Sequence, residues 1–275
     1  MINSCTDFDK FLVSEYLKYG SINKVYSIHH FNLPISFASY HRVLNKFKVI
    51  KSAGPNSQLS ESLNILSKIS SYKIPLERVY HQYAPRSIQV STNTLHRILH
   101  YTRLGLTRRQ GTALLITEPD HPLSFLTGVE KNTPNSALGK RGDITLPMGH
   151  SKIGESPQDA IARVLQQEVF TDQTVAGTFP WKLVPKHPQP TMYINIADIK
   201  VTVYHLILDH NLPFSSFKLN LLKYRSLKEL LASNLRPGVE DILRQKAGLL
   251  KVSTTSTAPE FSSKLNLVLL ELKNS

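Results

Sequence analysis

The stretch Leu146–Phe170, LPMGHSKIGESPQDAIARVLQQEVF, constrains the fold more than any other part of the chain. Ile144-Thr145-Leu146-Pro147 reads as a strand end, and a loop holding Gly149 and Gly154 follows. Ser156 stands at a helix N-cap with Pro157 at the first helical position, where a missing N–H is harmless. A helix to about Val169 is predicted. Ala160, Ile161, Val164, Leu165 and Glu168 recur at helical spacing, so periodicity alone makes them a stripe packed on a core.

The spacing of Gly149, Glu155, Arg163 and Glu168 resembles the Nudix box, with Leu146-Pro147 before it, Gly154-Glu155-Ser156 at the turn and Ala160 in the helix. In that family a loop–helix holds Mg²⁺ against a nucleoside diphosphate. The resemblance implies Glu155 and Glu168 as metal ligands, and Arg163 and Glu168 as the catalytic pair if the chain is active. Gly149, Glu155, Arg163, Leu165 and Glu168 keep the pattern. Val164 and Gln167 replace expected glutamates, Phe170 a glycine, and Thr171 an aliphatic residue. Positions 164, 167 and 168 share one helix face. That face carries one carboxylate where an active member has three. Mg²⁺ wants oxygen ligands, with one or two carboxylates among them, and hydrolysis needs the ion held firmly. Weak Mg²⁺ binding and poor hydrolysis are therefore expected, with Asp198 or Asp209 as sources of a missing acid.

Charge is uneven. Residues 1–118 carry fifteen Lys/Arg against six Asp/Glu (+9), and residues 119–275 eighteen against fourteen (+4), within a total of +13. A basic N-terminal half suggests a polyanionic partner. Cys5 is the single cysteine, which excludes an internal disulfide and points to a reducing compartment. No stretch has the length and apolarity of a membrane span, and the start lacks a signal peptide's pattern. A cytoplasmic location follows as an expectation.

The N-terminal half repeats itself. Val25-Tyr26 matches Val79-Tyr80, and His41-Arg42-Val43-Leu44 matches His96-Arg97-Ile98-Leu99, at an offset of 54 growing to 55. One unit used twice is implied. In the first, Phe8–Tyr19, Ser21–Phe31 and Ile35–Phe47 read as helices, with Lys48–Lys51 a strand leading to a Gly-Pro-Asn turn. In the second, Ser60–Tyr72, Leu76–Tyr83 and Ser91–Thr102 take those places, and Leu106–Ile116 is a wing tipped by Arg108-Arg109-Gln110-Gly111. These are the parts of a winged helix-turn-helix, whose third helix enters the major groove. Small polar residues suit base edges, and Arg and Lys suit phosphates or guanine. The DNA-contacting residues expected are Ser36, Ser39, Tyr40, Arg42 and Lys46, then Thr92, Asn93, Arg97, Arg103, Arg108 and Arg109.

After a seam at Asp120-His121-Pro122, strands are expected at Pro122–Glu130, Val175–Val184, Thr191–Ile196 and Lys200–Leu208, with helices at 226–231 and Pro237–Lys246. Gly149, Arg141, Lys152, Phe179, Trp181 and Lys182 are the candidate ligand contacts: aromatics to stack a base and cations to grip phosphates. The fold class expected is α+β and multidomain. It comprises a winged helix-turn-helix at 1–57, another at 58–119, a Nudix-like α/β/α sandwich with a mixed sheet at 120–248, and at 249–275 a flexible tail with room for a terminal strand. The function expected is a DNA-binding transcription regulator whose degenerate Nudix domain senses a nucleotide-like ligand. The alternatives are an active Mg²⁺-dependent pyrophosphohydrolase and an interaction protein that binds neither. Partners are double-stranded DNA, a nucleotide-like small molecule and optionally a second copy in a homodimer, with no membrane.

Overall fold

The computed structural model describes residues 6–52, 66, 75–83, 91–131, 142–249 and 257–271. At the N-terminus, α1 (Asp7–Tyr19) is capped by Thr6, whose hydroxyl accepts the Asp9 N–H, and ends at Gly20 in the left-handed region. Helix α2 (Ile22–Ile28) starts at Ser21 and α3 (Phe37–Lys46) at Ser36. Leu12, Val13, Tyr16, Leu17, Val25, Tyr40, Leu44 and Phe47 close a core among the three. Every start uses a hydroxyl side chain on an otherwise orphan N–H.

Helices α4 (Leu76–Tyr83) and α5 (Thr92–Arg103) follow. Leu76, Leu95, Ile98 and Leu99 do not build a separate core. They share one with Ala113, Leu115, Ile194, Val203 and Ile242 of the sheet region and with Leu265 and Leu269 near the C-terminus.

Eight strands form one mixed sheet: β1 (Arg109–Thr117), β2 (Ser124–Glu130), β3 (Ile144–Thr145), β4 (Met148–Ser151), β5 (Pro190–Ile196), β6 (Ile199–Ile207), β7 (Leu219–Ser226) and β8 (Glu260–Ser262). The order is β3-β2-β1-β6-β5-β8, with β4 on β1 and β7 on β2. Strand β1 runs parallel to β6, from Arg109 opposite Ile199 to Thr117 opposite Ile207. Alternation along β1 sends Leu114 and Ile116 towards α6 (Pro157–Glu168) and Ala113 and Leu115 to the other face. Short α7 (Thr171–Ala176) and α8 (Leu227–Leu231), then α9 (Val239–Leu249) and α10 (Lys264–Glu271), complete the chain.

Neither expected wing forms among the described residues. Arg109–Thr117 is a central strand, because Gly111 to Thr117 are buried without a break, as suits a strand covered on both faces. Lys48–Lys51 is not a strand, and the Ile50 N–H and C=O turn to side chains of α6 instead. Val175–Val184 is not a strand either: α7 ends at Ala176, and Trp181–Leu183 is a turn of 3₁₀ helix. The expected seam at 120 falls in the β1–β2 connection, so the sheet takes its first strand from before it. Near the C-terminus, β8 pairs in parallel with β5 and α10 seats Leu265 and Leu269 in the core. The Gly-Pro-Asn turn and most of Ser60–Tyr72 lie outside the described residues. No described helix is long and apolar enough to cross a membrane.

Candidate functional site

Strand β4 leads through a loop with Gly154 at φ +76° to Ser156, which accepts the Asp159 N–H at 3.1 Å and starts α6. From the second turn of α6, Arg163 reaches back to Glu155. Its Nε donates to Oε1 at 2.8 Å and its Nη2 to Oε2 at 3.0 Å, with both side chains almost fully enclosed (1% and 5% exposed). The same guanidinium lies 3.4 Å from Ser151 Oγ, itself 2.7 Å from Thr112 Oγ1. Both Glu155 oxygens are engaged by Arg163 in this two-pronged pair. Glu155, expected on metal, and Arg163, expected in catalysis, pair with each other here and fasten loop to helix.

The face at 164, 167 and 168 holds a second cluster. Val164 packs in the core with Leu114, Ile116 and Leu206. Glu168 Oε2 accepts the Met148 N–H at 2.9 Å. Lys218, just before β7, brings its ammonium 3.1 Å from Gln167 Oε1 and 4.0 Å from Glu168 Oε1. Burial pushes the Glu168 carboxyl above its ordinary range and the Lys218 ammonium below its own, and each charge opposes the other's shift. Above them lies the segment after α3. The Ile50 N–H donates to Gln166 Oε1 at 2.8 Å, Gln166 Nε2 to the Lys48 carbonyl at 2.9 Å, and Gln167 Nε2 to the Ile50 carbonyl at 3.4 Å.

This donor set does not fit Mg²⁺. A hard dication needs several free oxygens and net negative charge; here the one carboxylate faces an ammonium and the neighbouring amides are bonded to backbone. Asp198 and Asp209 do not help. Asp198 is buried against Arg109, which donates to it through Nε at 3.1 Å, and Asp209 lies on the surface beside His210. Among the described residues, no three His, Cys, Asp or Glu side chains are grouped to hold a metal ion.

Of the expected ligand contacts, Gly149 lines a cavity of about 20 Å³ with Gly111, Met148, His150, Val201 and Arg236. Arg236 is buried, pairs with Glu130 at 2.9 Å, and its Nε–H has no hydrogen-bond partner among the described residues. His150 donates through Nδ1 to the Gln110 carbonyl at 3.3 Å. Burial and then the charge of Arg109 bring its pKa down to about 4, so its imidazole is neutral near pH 7. Phe179 is a core residue, edge-on to Phe170 and Trp181, and offers no open face for a base. Trp181 is 40% exposed and faces an open hollow lined also by Asn45, Lys48, Val49 and Ile50. Lys152 and Lys182 are exposed, Lys152 close enough to feel the charges of Glu155 and Arg163, and Arg141 lies outside the described residues. Lys218, Gln166 and Arg236 were not among the residues expected at the site. Their partners lie far along the chain, where no spacing rule reaches.

The residues expected on DNA divide. Ser36 caps α3, and Ser39 lies in its first turn. Tyr40 is fully buried and donates its hydroxyl to the Leu12 carbonyl at 2.6 Å, so it cannot read a base. Lys46 pairs with Asp9 at 2.8 Å. Arg42 is exposed, and Asn45, one turn further on, shares its face. On α5, Thr92 follows the capping Ser91, while Asn93, Arg97 and Arg103 are exposed. Arg108 lies with its guanidinium carbon 5.1 Å from the centre of the Tyr101 ring. Arg109 opens β1 against Asp198, so the pair Arg108-Arg109 is no wing tip.

Fold and site together define an α+β chain with a mixed sheet and a closed loop–helix seat. No family model matches it, and no curated protein does. Among solved structures, it is similar to a NUDIX hydrolase from Nitrosomonas europaea, at 13% identity over 57% of this chain and 80% of that one, with a TM-score of 0.40. It is similar also to MutT from Aliivibrio salmonicida and Vibrio cholerae (12% identity, 52% and 99% covered, TM-score 0.39). An ADP-ribose pyrophosphatase from Streptococcus suis matches at 16% identity, with 56% and 99% covered and a TM-score of 0.36. The likeness extends over about half of the chain. The functional reading rests on the side chains of the site itself.

Proposed function

We propose that the chain is a DNA-binding regulator whose Nudix-like part recognises and holds rather than cleaves. One observation carries this reading: the helix face on which a divalent ion would be needed is sealed by Lys218 from one side and by Lys48–Ile50 from the other. Those residues directly follow α3, so the exposed face bearing Arg42 and Asn45 is tied through three hydrogen bonds to α6. A ligand that binds two arrangements of this joint unequally would shift α3, and only by that difference in affinity. We assign a nucleotide-like ligand to the cavity beside Gly149, which Arg236 and His150 line. At about 20 Å³ it holds roughly one water, so a base enters only if Arg236 or Met148 swings aside.

Two measurements on the full chain test the proposal. Duplex binding followed by fluorescence anisotropy should weaken steeply from low to moderate salt, as phosphate contacts release counterions. Incubation with Mg²⁺ or Mn²⁺ and a panel of nucleoside-diphosphate compounds should give no turnover. Salt-independent or absent duplex binding removes the DNA reading. Turnover that Glu168→Gln abolishes replaces the regulator by a hydrolase.

A further inference from the structure

We infer that Lys218 is a built-in cation occupying the seat of the divalent ion, and that the box closed around it is the socket locking the N-terminal helices to the sheet. The inference rests on the box geometry and stands whether or not the chain reads DNA. Three facts carry it.

The first is position. The Lys218 and Leu219 N–H groups donate to Ser216 Oγ at 3.2 and 3.0 Å, and the Lys218 carbonyl accepts the Lys131 N–H at 3.0 Å. The backbone is therefore pinned on both sides of the lysine, and its stem delivers the ammonium to Gln167 and Glu168.

The second is charge. A dication draws on one or two carboxylates together with other free oxygens and no competing cation, whereas one ammonium is balanced by a single carboxylate. Glu168 is the one acid at positions 164, 167 and 168, so carboxylate and ammonium cancel and neither is buried alone.

The third is the use made of the vacated glutamate position. A glutamine has a donor end as well as an acceptor end. Gln167 gives its oxygen to Lys218 and its N–H to the Ile50 carbonyl, and Gln166 takes the Ile50 N–H while donating to the Lys48 carbonyl. An ionised glutamate at 167 would have no proton for the Ile50 carbonyl. Replacing acid by amide thus turns an ion-binding face into one that pairs with a passing backbone.

The test uses the full chain and Mn²⁺ as probe. Wild type should show no stoichiometric Mn²⁺ binding by calorimetry or electron paramagnetic resonance. Lys218→Met leaves Glu168 buried without its partner and should lower Tm by roughly 5–15 °C. Glu168→Gln combined with Lys218→Met removes both charges and should recover most of that loss. Lys218→Ala, with the stem gone, should be stabilised by Mn²⁺ and lose that response when Glu168→Gln is added. Should Lys218→Ala fail to fold, the comparison of Lys218→Met with the double variant decides. Wild-type Mn²⁺ binding lost in Glu168→Gln would overturn the inference, as would a Lys218→Met Tm equal to wild type or a double variant no more stable than the single.

Discussion

Replacing Arg163 by Met keeps the stem and removes the guanidinium, leaving the Glu155 carboxylate enclosed with its two bonds, at 2.8 and 3.0 Å, both lost. The pair is 1% and 5% exposed, so water cannot step in. Stranding one half of a buried pair costs about 3–5 kcal/mol. Over a urea slope of ~2 kcal/mol/M, that moves the unfolding midpoint down by roughly 2 M. The protein has a single tryptophan, Trp181, which packs edge-on to Phe179 in the core beside α6, so its fluorescence reports this unit. An internal control exists: Arg244 and Glu240 form an i,i+4 pair at 2.7 Å but are 51% and 37% exposed, and Arg244→Met should cost under about 1 kcal/mol. Adding Glu155→Gln to Arg163→Met should recover part of the loss. A loss no larger than that of the control would refute the assignment of this pair as the fastening between loop and helix.

The remaining predictions concern pH, DNA and the joint. Burial holds His150 and His205 down to about 4, from an ordinary 6.5, so the unfolded chain takes up more protons between those values. Stability should therefore fall as pH drops from about 6.5 towards 4, and a Tm–pH curve unchanged in His150→Gln and His205→Gln would contradict this. Arg42→Ala should weaken duplex binding and reduce the slope of log affinity against log salt by about 1, as expected for a lost phosphate contact; an unchanged slope would place that face away from DNA. Tyr40→Phe should lower stability by roughly 1 kcal/mol by losing the bond to the Leu12 carbonyl, while duplex affinity at a temperature where both proteins are folded stays the same. Gln167→Glu should strengthen the grip on Lys218 yet free the Ile50 carbonyl, so trypsin should cut faster at exposed Lys48; an unaltered cleavage rate would mean that the amide donor plays no part in docking.

What the sequence shows plainly is what is local. The strand end, glycine loop, Ser156 cap and helix lie within twenty-five residues, and each signal acts on its neighbours, so the loop–helix forms where the pattern puts it. The wing misled because a basic Arg-Arg-Gln-Gly followed by an apolar run suits a hairpin tip as well as a strand entry. What decides between them is β6, whose Ile199 pairs with Arg109 some ninety residues away. Tyr40 was within reach of a stricter reading: with Leu44 and Phe47 it completes an i, i+4, i+7 stripe that turns inward. Lys218 was not. It sits fifty residues beyond Glu168 in a Ser-Ser-Phe-Lys turn with no mark of a buried ammonium, and only the closing of the sheet brings it in.

The residues on this helix face make physical sense only together. An ammonium delivered beside a face with three ionised glutamates would leave net negative charge buried, and removing two glutamates without adding a cation would leave Glu168 ionised and unpaired. With Val164 apolar, Gln167 neutral and Lys218 present, the face is electrically balanced, and its polar atoms have partners in the backbone of Met148, Lys48 and Ile50. Arg163 and Glu155 hold the loop on the helix, while β4, paired with β1, places the Met148 N–H that meets Glu168. The pair that fixes the loop on the helix is thus in place, while positions 164, 167 and 168 offer a valine, one amide and one carboxylate that faces the Lys218 ammonium.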